Sequence, residues 1–141
     1  MIRNASAEWN GGLKDGGGKI STDSGVLKDT QYSFSTRFED GIGTNPEELI
    51  AAAHAACFAM AFSAQLGEAG ITPKRIDASA TVTLEKTEGG FAVTSSALAV
   101  TVQAPGADRG SVEKAANNAK AGCPISKLLN TKITLDATYQ L

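Results

Sequence analysis

The sequence predicts an α+β fold of mainly antiparallel sheets packed on one long, buried central helix. Alternating apolar and polar residues, broken by glycine turns, fill both the first forty residues and the stretch from Ile76 to Gln103. Between them lies a capped and almost continuously apolar segment from Thr44 to Glu68. Two shorter helical patterns and one alternating strand end the chain, so strands come in blocks with helices between them.

Residues 2–9, 19–22 and 31–39 read as three strands punctuated by Gly11-Gly12, Gly16-Gly17-Gly18 and Gly25. In the third, Tyr32, Phe34, Thr36 and Phe38 share one face, and Gln31, Ser33, Ser35, Arg37 and Glu39 share the other. The triple glycine leads into Lys19-Ile20-Ser21-Thr22, which is strand-like, and it lacks the spacing of a phosphate-binding loop. It reads as a hairpin turn. Thr44 or Asn45 then caps a helix with Pro46 at its first position and Glu47 and Glu48 at the positive end of the dipole. That helix should run to about Glu68, where Gly70 and Pro73 stop it. Its middle, residues 51–62, is apolar almost all round, which implies burial on most sides. One chain of this size hardly encloses such a helix, so a homodimer is expected to cover it.

The second half begins with a hairpin. Ile76, Ala78, Ala80, Val82 and Leu84 line one face of its first strand, and Glu88-Gly89-Gly90 turns into a second strand over residues 91–103. A helix over residues 108–121 turns Val112, Ala115, Ala116 and Ala119 inward and stops at Gly122. A short helix starts at Cys123-Pro124, and Ile133, Leu135, Ala137, Tyr139 and Leu141 alternate as a last strand.

The 141 residues are 42% apolar, with 13 basic and 15 acidic side chains and a net charge of −2. One globular domain over residues 1–141 fits these figures. The cationic footprint of nucleic-acid or anionic-membrane binding is missing. The first residues hold no signal-peptide core, and the alanine-rich segment carries His54 between flanking glutamates, so no membrane span is expected and the cytoplasm is the expected compartment.

In a reducing compartment the two cysteines point to redox chemistry or inert burial. Cys57 lies mid-helix, where burial raises a thiol's pKa and makes it inert unless a cation reaches it. Cys123 stands at a helix N-terminus, which favours a thiolate, so elementary physics ranks Cys123 the more reactive. His54, three residues before Cys57, permits a Cys–His nucleophile of the hydrolase kind, and equally reads as a satisfied or interface histidine. Two cysteines and one histidine lack the spacing and fourth ligand of a closed zinc site, so no metal is expected. Arg37 reads either as a solvated strand-face charge or as a site residue.

Four segments stand together in a recognisable order: Thr36-Arg37-Phe38-Glu39, Gly43-Thr44-Asn45-Pro46-Glu47-Glu48-Leu49, His54-Ala55-Ala56-Cys57-Phe58, and Ala121-Gly122-Cys123-Pro124-Ile125-Ser126. With them the whole chain resembles the OsmC/Ohr family, the osmotically inducible and organic hydroperoxide resistance proteins, which are thiol-dependent peroxidases. The resemblance implies that Cys57 attacks a hydroperoxide and becomes a sulfenic acid, and that Cys123 resolves it as a disulfide reduced by a dithiol or protein thiol. It further implies that Arg37 lowers the pKa of Cys57 and that Glu47 orients the guanidinium, with no cofactor. Organic hydroperoxide resistance proteins take this arginine from a loop nearer the N-terminus, whereas here it stands at residues 36–39, as in the osmotically inducible branch. Both organic hydroperoxides and hydrogen peroxide therefore stay open as substrates. Glu47 and Cys57 are ten residues apart on one helix, about 15 Å along its axis. Either the long Arg37 side chain spans part of that gap, or Glu47 approaches the Cys57 of an antiparallel partner helix. The rival reading is a non-enzymatic thiol redox sensor or a binding module for small apolar ligands.

Overall fold

The computed structural model describes residues 1–141. Its elements are β1 (Ala5–Asn10), β2 (Gly17–Thr22), β3 (Thr30–Tyr32), α1 (Phe34–Phe38), α2 (Pro46–Glu68), β4 (Arg75–Thr87), β5 (Gly90–Gln103), α3 (Arg109–Gly122), α4 (Pro124–Leu128) and β6 (Lys132–Gln140). Met1–Leu49 and Ile50–Leu141 form two compact units, with the first turn of α2 in the former.

In the first unit β1, β2 and β3 pair antiparallel in chain order. The strand expected over residues 31–39 stops at Tyr32, and residues 34–38 are helical. Local capping outweighs the two-residue alternation there. Ser33 is extended, its Oγ accepts from the Thr36 N–H at 3.3 Å, and Thr36 Oγ1 accepts from the Ser33 N–H at 2.8 Å. The helical turn stacks Phe34 on Phe38 with ring centroids 4.9 Å apart, so the two aromatics still share a face, now one helical turn apart.

Gly43 then lets the chain turn into α2. Its φ of +136° belongs to glycine, and a Cβ there would sit 2.8 Å from the Gln31 carbonyl oxygen and 3.0 Å from Thr36 Cγ2. Of the two expected caps Asn45 serves, since its Oδ1 accepts from the Glu48 N–H at 2.8 Å. Its Nδ2 donates to the Thr36 carbonyl at 2.7 Å and so ties the start of α2 to α1.

In the second unit α2 ends as expected. Gly70 has φ +73°, and the Ile71 N–H closes back on the Leu66 carbonyl at 2.9 Å. The β4–β5 hairpin pairs from Arg75 opposite Gln103 to Thr87 opposite Gly90, with one irregularity at Thr83/Leu84. Strand β6 pairs with β5 in parallel, the exception to the antiparallel pattern. The reason lies in the connection, because α3 and α4 form a crossover of the kind a parallel pair requires. Asp108 caps α3 by accepting from the Ser111 N–H at 2.9 Å, and Val112, Ala115, Ala116 and Ala119 are its buried face, as the pattern implied.

The core joins Phe58, Phe62 and Leu66 of α2 to Leu98, Val100 and Val102 of β5 and to the buried face of α3. Within its own chain the helix α2 buries chiefly one stripe, with His54, Phe58, Phe62 and Leu66 four residues apart and fully covered, while Met60 is 77% exposed. By length and composition its 23 residues could cross a membrane. The stripe is instead used in packing against the sheet and α3. Phe62→Ala should therefore cost roughly 3–5 kcal/mol of stability, read as a lower midpoint in urea at unchanged slope. A midpoint equal to that of the native chain would remove Phe62 from the core.

Candidate active site

Arg37 lies in the last turn of α1 and Glu47 in the first turn of α2, so the Gly43 turn and the Asn45 cap bring the two together. Nε and Nη2 of Arg37 donate to Glu47 Oε1 at 2.9 and 2.7 Å. The guanidinium also lies over the Phe38 ring, 5.3 Å from its centroid. Arg37 is thus a helical residue and not a strand-face charge. Its side chain is 40% exposed against 11% for Glu47, so the carboxylate anchors a guanidinium that solvent still reaches. Nη1 of Arg37 makes no hydrogen bond, and Glu47 Oε2 is buried without a partner. Such a clamp fixes the plane of the cation and leaves donors free for an anionic or oxygen-bearing ligand. Beside it is a cavity of about 260 Å³ whose walls include Trp9, Leu13, Tyr32, Phe34 and Phe38.

Cys57 on α2 and Cys123, the N-cap residue of α4, are both free thiols, near enough for each to shift the acidity of the other. Burial pushes the Cys57 thiol up; a backbone hydrogen bond at Ile125 opposes it, and the neighbouring Cys123 adds to the rise. Burial acts on Cys123 in the same sense. There it is outweighed by hydrogen bonds with the Ser126 side chain and backbone, with Cys57 and with the backbone at Ile125, so the Cys123 thiol lies below its ordinary value. Both contacts between the Cys123 sulfur and Ser126 are 3.3 Å. Within this unit the acidities follow the ranking that burial and the helix terminus imply.

His54 has no exposed surface, and both its ring nitrogens are paired. Nδ1 lies 2.7 Å from Ser96 Oγ on β5, and Nε2 lies 2.8 Å from Ser126 Oγ on α4. The ring therefore bonds to serines and not to Cys57, which corrects the Cys57–His54 nucleophile reading in favour of the satisfied histidine. Sequence reasoning passed over both serines. The third residue of a helix capped by Cys123 was a legible signal for Ser126, since that position faces the cap side chain. Ser96 carried no comparable signal. The site residues thus form two groups, Arg37 with Glu47 in the first unit and Cys57 with Cys123 and His54 in the second.

Residues 39–138 match the family described as OsmC-like protein. The chain is 53% identical over 139 residues to Peroxiredoxin OsmC of Escherichia coli (strain K12), covering 99% of this chain and 96% of that one. It is 32% identical over 125 residues to the Organic hydroperoxide resistance protein OhrB of Bacillus subtilis (strain 168), covering 88% of each. The crystal structure of the Bacillus subtilis OhrB superposes with a TM-score of 0.70 at 30% identity, over 96% of this chain and 97% of that one.

Burial lowers the pKa of His54 from its ordinary 6.5. The unfolded chain therefore binds more protons than the folded one between the lowered value and 6.5, so stability falls as pH drops below 6.5. The single imidazole should titrate below 6.5 by NMR. His54→Gln should flatten the fall of the urea midpoint across that window. An imidazole titrating at or above 6.5 would contradict its burial as a neutral ring.

Proposed function

The chain belongs to the OsmC-like family, and from that premise we propose that it is a cysteine-based peroxidase reducing organic hydroperoxides, and hydrogen peroxide with them, to alcohols and water. One observation carries the reading: the two cysteines, free thiols on separate elements, stand near enough for each to shift the acidity of the other. A disulfide requires such an approach.

In this reading the Cys57 thiolate attacks the terminal peroxide oxygen. The O–O bond breaks, the alkoxide leaves and takes up a proton, and Cys57 becomes a sulfenic acid. Cys123 condenses with it to a disulfide and water, and an external dithiol or protein thiol restores both thiols. No prosthetic group is needed, and the whole of residues 1–141 acts as one domain in a reducing cytoplasm.

A thiol raised by burial needs a cation to become a nucleophile at neutral pH. Arg37, held by Glu47, is that cation in this proposal, and its free Nη1 binds the peroxide oxygens as charge develops on them. The aromatic walls beside Arg37 favour a substrate with an organic tail. Helix α2 places Glu47 about 15 Å along its axis from Cys57. An antiparallel second copy, seated on the apolar faces of α2 that the chain leaves open, would supply the Arg37–Glu47 pair in trans and make the enzyme an obligate homodimer.

After one equivalent of an alkyl hydroperoxide, mass spectrometry should find a Cys57–Cys123 disulfide in the native chain and a trapped sulfenic acid on Cys57 in Cys123→Ser. Repeated consumption of peroxide with a dithiol should follow in the native chain only. Thiols that both stay alkylatable would end the peroxidase reading, and one oxidation without turnover would make the protein a redox sensor. Arg37→Ala should lower kcat/KM by about 10²–10³-fold, the size of effect seen on removing one preorganised donor. Mixed with inactive Cys57→Ser under conditions that exchange subunits, it should recover activity, because one site of the mixed dimer then has both native groups. No recovery in dimers shown to be mixed would place Arg37 and its cysteine in one subunit.

A further inference from the structure

The peroxidase scheme leaves unused a fully buried polar group, His54. We propose that His54, acting through Ser126, is a positioning residue that draws the proton from Cys123 and so primes it to resolve the Cys57 sulfenic acid. The inference rests on the role given to Cys123 above.

The geometry is a continuous chain of hydrogen bonds. The Cys123 S–H donates to Ser126 Oγ at 3.3 Å. In the proposed relay the serine hydroxyl gives its own proton to His54 Nε2, 2.8 Å away. Nε2 is then the unprotonated nitrogen, and the Nδ1–H donates to Ser96 Oγ at 2.7 Å. In this arrangement the row points away from the sulfur. The Ser126 N–H points the other way and donates to the Cys123 sulfur at 3.3 Å, where it stabilises negative charge.

Burial keeps the imidazole neutral, and only a neutral ring can accept a proton. When Cys123 ionises, the row reverses. The Ser126 hydroxyl donates to the thiolate, and Nε2–H of the imidazolium donates to Ser126 Oγ. No heavy atom needs to move far, because each oxygen and nitrogen exchanges donor for acceptor in place. The thiolate's electron pair then forms the S–S bond, and the S–O bond of the sulfenic acid breaks with its pair leaving on hydroxide. The proton taken from Cys123 is accounted for in the water that this hydroxide becomes. His54 ends neutral, ready for the next cycle.

A histidine kept only for packing would satisfy the same contacts, so the test must separate rate from fold. The reduced chain is mixed with one equivalent of an alkyl hydroperoxide and quenched over time with a sulfenic-acid trap and an alkylating reagent. In His54→Gln and in Ser126→Ala, sulfenic acid on Cys57 should form at the native rate, while its conversion to disulfide slows by about 10²-fold, the low end for a general base. Ser126→Thr keeps the hydroxyl and should retain native condensation. In a Cys57→Ser background, ultraviolet titration of the remaining thiol should move to higher pH when His54→Gln or Ser126→Ala is added. Unchanged condensation in both variants, or an unmoved titration, overturns the relay. Failure of the native chain to form any sulfenic acid on Cys57 would instead overturn the peroxidase scheme, and the Cys123 titration would still decide the relay.

Discussion

A histidine with no access to water must find partners for both ring nitrogens inside the protein, and much of the second unit follows from that demand. An unmet nitrogen would cost roughly 1–3 kcal/mol. Meeting it requires Ser96 from the centre of β5 and Ser126 from α4 to converge on one turn of α2. The ring therefore fixes how the helix sits on the sheet and where the short α4 docks. Since Cys123 caps α4 and Cys57 lies one turn beyond His54, the same ring sets the approach of the two thiols. Alternation on β5 supplies the apolar half of the contact, with Leu98, Val100 and Val102 continuing the face that Ser96 begins.

The first unit works by a different principle. There the controlling contacts are local and polar: a capping box at Ser33 and Thr36, a glycine that no side chain could replace without strain, and an asparagine that serves its own helix and its neighbour at once. Together they hold Arg37 against Glu47 with little help from an apolar core. The carboxylate gives one oxygen to two donors and keeps the other unpaired, so the cation is oriented but not saturated. A guanidinium paired on both edges would be a poorer ligand for a developing oxyanion.

The two units were legible in the sequence to different degrees. Helix α2 was read almost to the residue, because Asn45, Pro46, Glu47 and Gly70 each leave a distinct chemical mark at a helix end. The hairpin and the buried face of α3 were equally plain. Residues 31–39 misled because Tyr32, Phe34, Thr36 and Phe38 satisfy a strand period while Ser33 and Thr36 satisfy a cap, and two side-chain hydrogen bonds decide between them. The parallel direction of β6 follows from the path of the crossover, which alternation does not encode. Ser96 and Ser126 meet His54 across 42 and 72 residues, a separation at which no periodicity speaks. For the cysteines, burial and helix-end arguments read the local acidities in the right order but could not name the nucleophile. That assignment rests on resemblance, which implies an activating cation distant from both cysteines in sequence.

The parallel pairing of β6 also bears on the order in which a ribosome delivers the parts. Strands β4 and β5 are joined by a two-residue turn and can pair soon after they emerge. Strand β6 comes last, and α3 packs on it while α4 packs on α3. Cys123 thus reaches its place only near the end of synthesis, whereas Cys57 has long since left the exit tunnel. Until then a sulfenic acid on Cys57, if one formed as in the proposed cycle, would have no resolving thiol of its own chain nearby. The pair of thiols on which the proposed cycle depends is therefore complete only when nearly the whole chain has been made.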